Sequence, residues 1–164
     1  MLSHRITSAD LVAVGQVDRH RLRNLLKDLP EFAARSAKER VASEYTRHDL
    51  TVVAILCELE RMGLRKEAIA KWVSPIQQAL QRPYSVAASQ LLLSVDPPAA
   101  TLGDDCGRLR AGVVVDFDKI LRRVDRHCAD VDSVSSTQRE VKFGPQSVER
   151  ARIATNQARA HRHG

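Results

Sequence analysis

The stretch Gln16-Val17-Asp18-Arg19-His20-Arg21-Leu22-Arg23-Asn24-Leu25-Leu26 (QVDRHRLRNLL) places three arginines and a histidine within five residues. Leu22, Leu25, Leu26 and Leu29 recur at helical spacing, Asp18 is a helix-capping residue type, and Pro30 interrupts the pattern. Arg19 and Arg23 fall one helical turn apart, as do His20 and Asn24, on the side opposite the leucines. The segment is therefore expected to be a helix with an apolar back and a basic front. That front is either a surface that reads nucleic acid or a solvated face that happens to be basic, and charge alone leaves both open.

Working outward, Thr7 and Ser8 are good caps for a short helix over Ala9–Val14 that Gly15 can end. Two short helices joined by a three- or four-residue turn at a glycine form the outline of a helix-turn-helix. Residues 31–44 show little periodicity and are read as a loop or a short two-stranded wing carrying Arg35, Lys38 and Arg40. Thr46-Arg47-His48-Asp49 has the form of a capping box, opening a helix to about Met62 that Gly63 terminates. Leu50, Val53, Ala54 and Cys57 make one apolar face of this helix, and Val52, Ile55, Leu56 and Leu59 another. A helix apolar over most of its girth is buried on two sides. The first two helices are expected on one side, and either the C-terminal module or a second subunit on the other. A fourth helix is expected from Lys66 to about Val73.

After Pro75 and Pro83 the pattern changes. Ser89–Val95 and Gly112–Phe117 read as strands, with the TLGDDCG loop between them. Asp116 or Asp118 then caps a helix through Ile120, Leu121, Val124 and Cys128, giving a small β-β-α module. From Asp132 onward the chain is rich in Ser, Gln, Arg, Ala and His and reads as a basic, flexible tail.

The charge is uneven along the 164 residues: +4 over 1–82, −2 over 83–132 and +4 over 133–164, for a total of +6. The two ends, not the acidic middle, are the segments suited to a polyanion. No run of eighteen apolar residues exists, and the N-terminal MLSHRITSADL lacks the apolar core of a signal peptide. A cytoplasmic location without membrane contact is expected, nucleoid-associated when DNA is bound. Cys57, Cys106 and Cys128 are an odd number at wide spacings, which makes neither a disulfide framework nor a zinc-finger pattern.

Three of these motifs resemble a known family. Val17-Asp18-Arg19-His20-Arg21-Leu22-Arg23-Asn24-Leu25 is similar to the Val-Ser-x-x-Thr-Leu-Arg-Tyr-Tyr pattern of MerR-type regulators. Tyr45-Thr46-Arg47-His48-Asp49-Leu50 resembles that family's Tyr-Ser-x-x-Asp-Leu, and Gly63–Ile69 its Gly-x-x-x-Glu-x-Ile. Asn24 and Leu25 replace the family's tyrosine pair, and no long heptad helix follows residue 75. The resemblance thus covers the N-terminal part only and implies a winged helix-turn-helix DNA-binding domain there. The fold class expected is mainly α with small β elements: a winged helix-turn-helix over 1–74, the β-β-α module over 75–131 and the tail over 132–164.

On this reading Arg19, His20, Arg21, Arg23 and Asn24 face the major groove, where Arg pairs with guanine and Asn with adenine. Arg35, Lys38 and Arg40 serve as wing contacts, Arg47 and His48 sit at a helix N-terminus that favours phosphate, and Tyr45 either donates to that phosphate or plugs the core. Cys57 belongs to the core. Asp104, Asp105, Asp116 and Asp118 are turn or cap residues rather than a metal site. With no phosphate-binding glycine loop, nucleophile elbow or acid–base pair, no catalytic residues, metal or cofactor are expected, and the chain is not read as an enzyme. The partners expected are double-stranded DNA, a second copy of the chain, and another protein through residues 84–130. The function expected is sequence-specific DNA binding in transcriptional regulation. The alternatives are a DNA-architecture factor of excisionase or small-terminase type, or a protein–protein adaptor reusing the scaffold.

Overall fold

The computed structural model describes residues 5–36, 45–82, 88–104 and 111–137. Its elements run α1 (Ser8–Gly15), α2 (Arg19–Leu26), α3 (Pro30–Ser36), α4 (Arg47–Arg61), α5 (Lys66–Gln81), β1 (Gln90–Ser94), β2 (Ala99–Gly103), β3 (Gly112–Asp116) and α6 (Phe117–Thr137). The described chain is mainly helical with one small antiparallel sheet. It divides into two units, Met1–Asp132 and Ser133–Gly164, and the core and the sheet both belong to the first.

Helix α4 is the centre of the core. Thr46 and Asp49 form a reciprocal capping box at its start: Thr46 N–H and Oγ1 donate to Asp49 Oδ2 at 2.8 and 2.9 Å. Gly63, at φ +89°, supplies the left-handed backbone that ends it. Every residue from Asp49 to Cys57 is buried, and so is Leu59. The two-sided burial expected from the sequence is met within this one chain. Helices α1 and α5 pack against α4, and Phe117, Ile120 and Val124 of the β3–α6 segment belong to the same core cluster. The boundary expected at 74/75 falls inside α5.

In the sheet, β1 lies between β2 and β3, antiparallel to both. The register aligns Leu91 with Leu102 and Val115, and Leu93 with Ala100 and Val113, so these side chains share the face turned to the core. Ser89 is the knot of the module. Its N–H and Oγ donate to Asp104 Oδ1 at 2.9 and 2.7 Å, and its carbonyl accepts from the N–H groups of Phe117 and Asp118 at the start of α6. Asp116 caps that helix, accepting from the Lys119 N–H at 2.9 Å.

Five expectations are corrected. Residues 30–36 are helix α3, not loop or wing, because Pro30 occupies the first helical position, where its missing N–H and fixed φ suit a helix start. Helix α5 runs through Pro75 to Gln81: Trp72, Val73, Ile76 and Ala79 are buried on both sides of the proline, and that packing outweighs the lost hydrogen bond. The module is β-β-β-α, since Ala99–Gly103 forms a strand whose partner is β1. Helix α6 continues to Thr137, past the expected start of the tail, while residues 138–164 lie outside the described part.

The fifth correction concerns Gly15. The left-handed residue after α1 is Gln16, at φ +54°, and Gly15 lies within the helix. Its role is close approach: a Cβ there would stand 2.9 Å from Cys57 Sγ and 3.4 Å from Val17 Cγ2. Gly15→Ala should therefore destabilise the fold by about 1–3 kcal/mol. Pairing it with Cys57→Ala should return part of the loss, as urea unfolding of the single and double variants would show.

Candidate nucleic-acid interface

Helix α2 is capped as its sequence predicts, with Asp18 Oδ1 accepting from the Arg21 N–H at 2.8 Å. The Arg21 and His20 backbone N–H groups hold the Asp18 carboxyl below its ordinary value. Leu22 and Leu25 are buried in the core, which leaves Arg19, His20, Arg21 and Arg23 exposed. Asn24 is half-buried, and its side-chain amide donates to His20 Nε2 at 2.9 Å, one turn away.

The two short helices are held from behind by cations at their carbonyl ends. Arg61 Nη2 donates to the Gly15 carbonyl at 3.1 Å, and Lys66 Nζ to the Asn24 carbonyl at 2.6 Å. Each satisfies an acceptor that the end of a helix leaves open and complements the local dipole. Between the helices, Arg123 Nη1 of α6 donates to Gln16 Oε1 at 3.1 Å. The turn that presents α2 is thus fixed by side chains from α4, α5 and α6.

The structure separates the remaining sequence-predicted residues into groups. Arg21 turns its Nε to Glu60 Oε2 at 3.0 Å and is paired at the base of the helix. Arg47 is ion-paired with Asp125 of α6. His48 is half-buried, and its Nε2 is buried without a hydrogen-bond partner. Tyr45 is half-buried against the core and donates its backbone N–H to the Ile6 carbonyl at 3.1 Å, the position of a core plug. Arg35 lies in α3, where its side chain is not described, and Lys38 and Arg40 lie outside the described residues. The structure therefore brings the exposed Arg19, His20 and Arg23 together with the half-buried Asn24 on one side of α2 and gives Arg21 and Arg47 partners within the fold.

Cys57 is a core residue, its thiol pushed up to about 12 by burial and the nearby Glu60 carboxylate. Cys128 is half-buried, with its thiol also raised by burial, and Cys106 lies outside the described residues. Among the described residues no group of three or more His, Cys, Asp or Glu side chains is placed to hold a metal ion. Asp104 is engaged by Ser89 in a turn contact, and Asp118 pairs with Arg122 at 2.9 Å. No described helix is long and apolar enough to cross a membrane.

One pair escaped the sequence reading. His127 Nε2 of α6 lies 2.9 Å from Asp10 Oδ1 of α1, across 117 residues of chain. The local half of this arrangement is visible in Thr7-x-x-Asp10, a capping box in which Thr7 N–H and Oγ1 donate to Asp10 Oδ2 at 2.7 and 2.9 Å. Its long-range half has no local signal.

No protein-family model, curated protein or solved structure matches this chain.

Asp10 is 8% exposed. Burial pushes its carboxyl up, but the Thr7 N–H, the His127 side chain and the Thr7 hydroxyl together outweigh burial and hold it below the ordinary value of 3.8. A carboxyl depressed in the folded state stabilises the fold above its unfolded pKa and loses that contribution as pH falls through the folded one. Asp10→Asn should cost about 1–2 kcal/mol at neutral pH. The gap to the parent should close as pH drops below 3.8, which parallel chemical denaturation at a series of pH values would measure.

Proposed function

We propose that this chain binds double-stranded DNA in a sequence-specific manner, with α2 as the recognition helix of a winged helix-turn-helix and transcriptional regulation as its role. The observation that carries the reading is the division of α2. Leu22 and Leu25 are buried, its start is capped, and Arg19, His20 and Arg23 stand exposed on the opposite side. Arg19 and Arg23, one turn apart on a rigid helix, match the demand for guanidinium groups along a groove, where base edges confer specificity and phosphates set register. The anchoring of α1 and α2 by Arg61, Lys66 and Arg123 supports it further, because a reader helix must be held in a fixed pose. The order and spacing of the three MerR-like motifs support it independently. Two copies on a two-fold site form part of this reading, since single recognition helices commonly work in pairs.

Titration of a random duplex and of a duplex selected from a random pool, each at several salt concentrations, tests the proposal. A steep fall of affinity with salt and a clear preference for the selected sequence are expected. Flat, micromolar-or-weaker binding to every duplex would overturn it. Arg23→Ala should weaken binding by about 1–3 kcal/mol. Arg21→Ala should weaken it less, because that guanidinium is already engaged by Glu60.

A further inference from the structure

The sheet has two outer edges, and they differ. With the strand order β2-β1-β3, one side of β2 and one side of β3 have no strand partner among the described residues. Along the β1–β3 pair, the Val95 N–H donates to the Ala111 carbonyl at 3.2 Å and the Phe117 N–H to the Ser89 carbonyl at 2.9 Å. Bonded pairs of an antiparallel ladder recur at every second residue, so Leu93–Val113 and Leu91–Val115 are the bonded pairs between them. The backbones of Val113 and Val115 are engaged by β1, and those of Gly112 and Val114 face away from it. Gly112, Val114 and Asp116 are all exposed. On β2 the same alternation turns the backbones of Ala100 and Leu102 outward. Those two residues are half-buried against the core, and α5 packs on their strand.

An exposed edge is a template for another strand, and folds that keep one open commonly defend it with lysine, proline or a bulge. Gly112-Val113-Val114 carries neither charge nor proline, and its register with β1 runs without a bulge. The strand is also complementary to itself. In an antiparallel arrangement about a two-fold axis at Val114, each Val114 N–H meets the carbonyl of the other copy's Val114. Gly112 then stands opposite the other copy's Asp116, so no like charges face each other across the ladder. On the outer face, the row Thr101–Leu92–Val114 continues into the same row of the second copy, with two β-branched valines at its centre. A foreign strand would need to supply a matching edge, whereas a second copy brings one in register.

We infer that β3 is a self-association surface, through which two copies of this chain pair antiparallel about Val114 and join their sheets into one of six strands. The inference rests on the sheet. The DNA reading asks for two copies but does not say which surface joins them.

Sedimentation equilibrium of the full chain without DNA, over about 2–200 µM, tests it. One five-residue strand from each copy makes a small contact, so a reversible monomer–dimer equilibrium in the micromolar range is expected. Val114→Pro is the diagnostic variant. The N–H it removes faces away from β1, so the sheet of the monomer keeps its bonds while the bond between copies is lost. Dimerisation is expected to move to at least about tenfold higher concentration, with circular dichroism showing the fold retained. Val114→Cys covers the case in which the proline variant does not fold. Mild oxidation should link two copies of it, because facing Cα atoms of a bonded antiparallel pair lie about 5.5 Å apart. The parent chain and Val95→Cys, at a more exposed residue one strand further from the axis, should cross-link little.

A chain that stays monomeric at about 200 µM would overturn the inference. A folded Val114→Pro variant that dimerises like the parent would overturn it too, as would a Val95→Cys variant that cross-links as readily as Val114→Cys. No DNA is present in these measurements, so their outcome is separate from that of the duplex titration.

Discussion

A helix buried on every side through its middle cannot rest against a single partner, and α4 imposes that constraint on the whole chain. From Asp49 to Cys57 it offers no residue to solvent, so cover must come from all round. Helix α1 closes in where Gly15 removes the obstacle of a side chain, α5 takes a second side, and Phe117, Ile120 and Val124 complete the enclosure. The sheet in turn hands its inner leucines and valines to the same core. The two halves of the sequence, which differ in composition and charge, share an interior because neither could bury α4 without the other.

The features legible in the sequence are those whose cause is local. The caps at Thr46 and Asp18, the glycine stop at Gly63, the strands around Leu91–Leu93 and Val113–Val115, and the Asp116 cap each rest on residues a few positions apart. Helix α3 was obscured because Pro30 serves both to end one helix and to begin the next. Strand β2 was obscured because Ala99-Ala100-Thr101-Leu102-Gly103 has little intrinsic strand preference and is recruited by its pairing with β1. The run of α5 through Pro75 depends on tertiary burial, which no local signal announces. The same holds for the candidate surface. That α2 has a basic front was readable, whereas the partners of Arg21 and Arg47 come from Glu60 and Asp125, 39 and 78 residues away.

Those partners change the meaning of the chain's charge. The formal +6 counts every Lys and Arg alike, yet Arg21, Arg47, Arg61 and Lys66 each bond to a carboxylate or carbonyl of the fold, and Arg123 bonds to Gln16 with Glu58 at 3.9 Å. Of the arginines in α2, Arg19 and Arg23 are exposed, while Arg21 is paired with Glu60. Within a Debye length of about 8–10 Å in physiological salt, it is these nearby charges that an approaching anion experiences. The pairs Arg21–Glu60 and Arg47–Asp125 cancel charge locally, whereas Lys66, bonded to the neutral Asn24 carbonyl, keeps its charge beside α2.

Trp72 is the chain's single tryptophan, and it sits where α5 meets the sheet, 4% exposed, with Nε1 donating to the Ser94 carbonyl at 2.7 Å. An indole so placed is a built-in optical reporter. Its emission comes from a dry, hydrogen-bonded setting and moves to longer wavelength only when α5 and β1 part. Comparing that signal with far-ultraviolet circular dichroism, which averages over all the helices, would reveal whether the helix–sheet junction and the helical body come apart in one step or two.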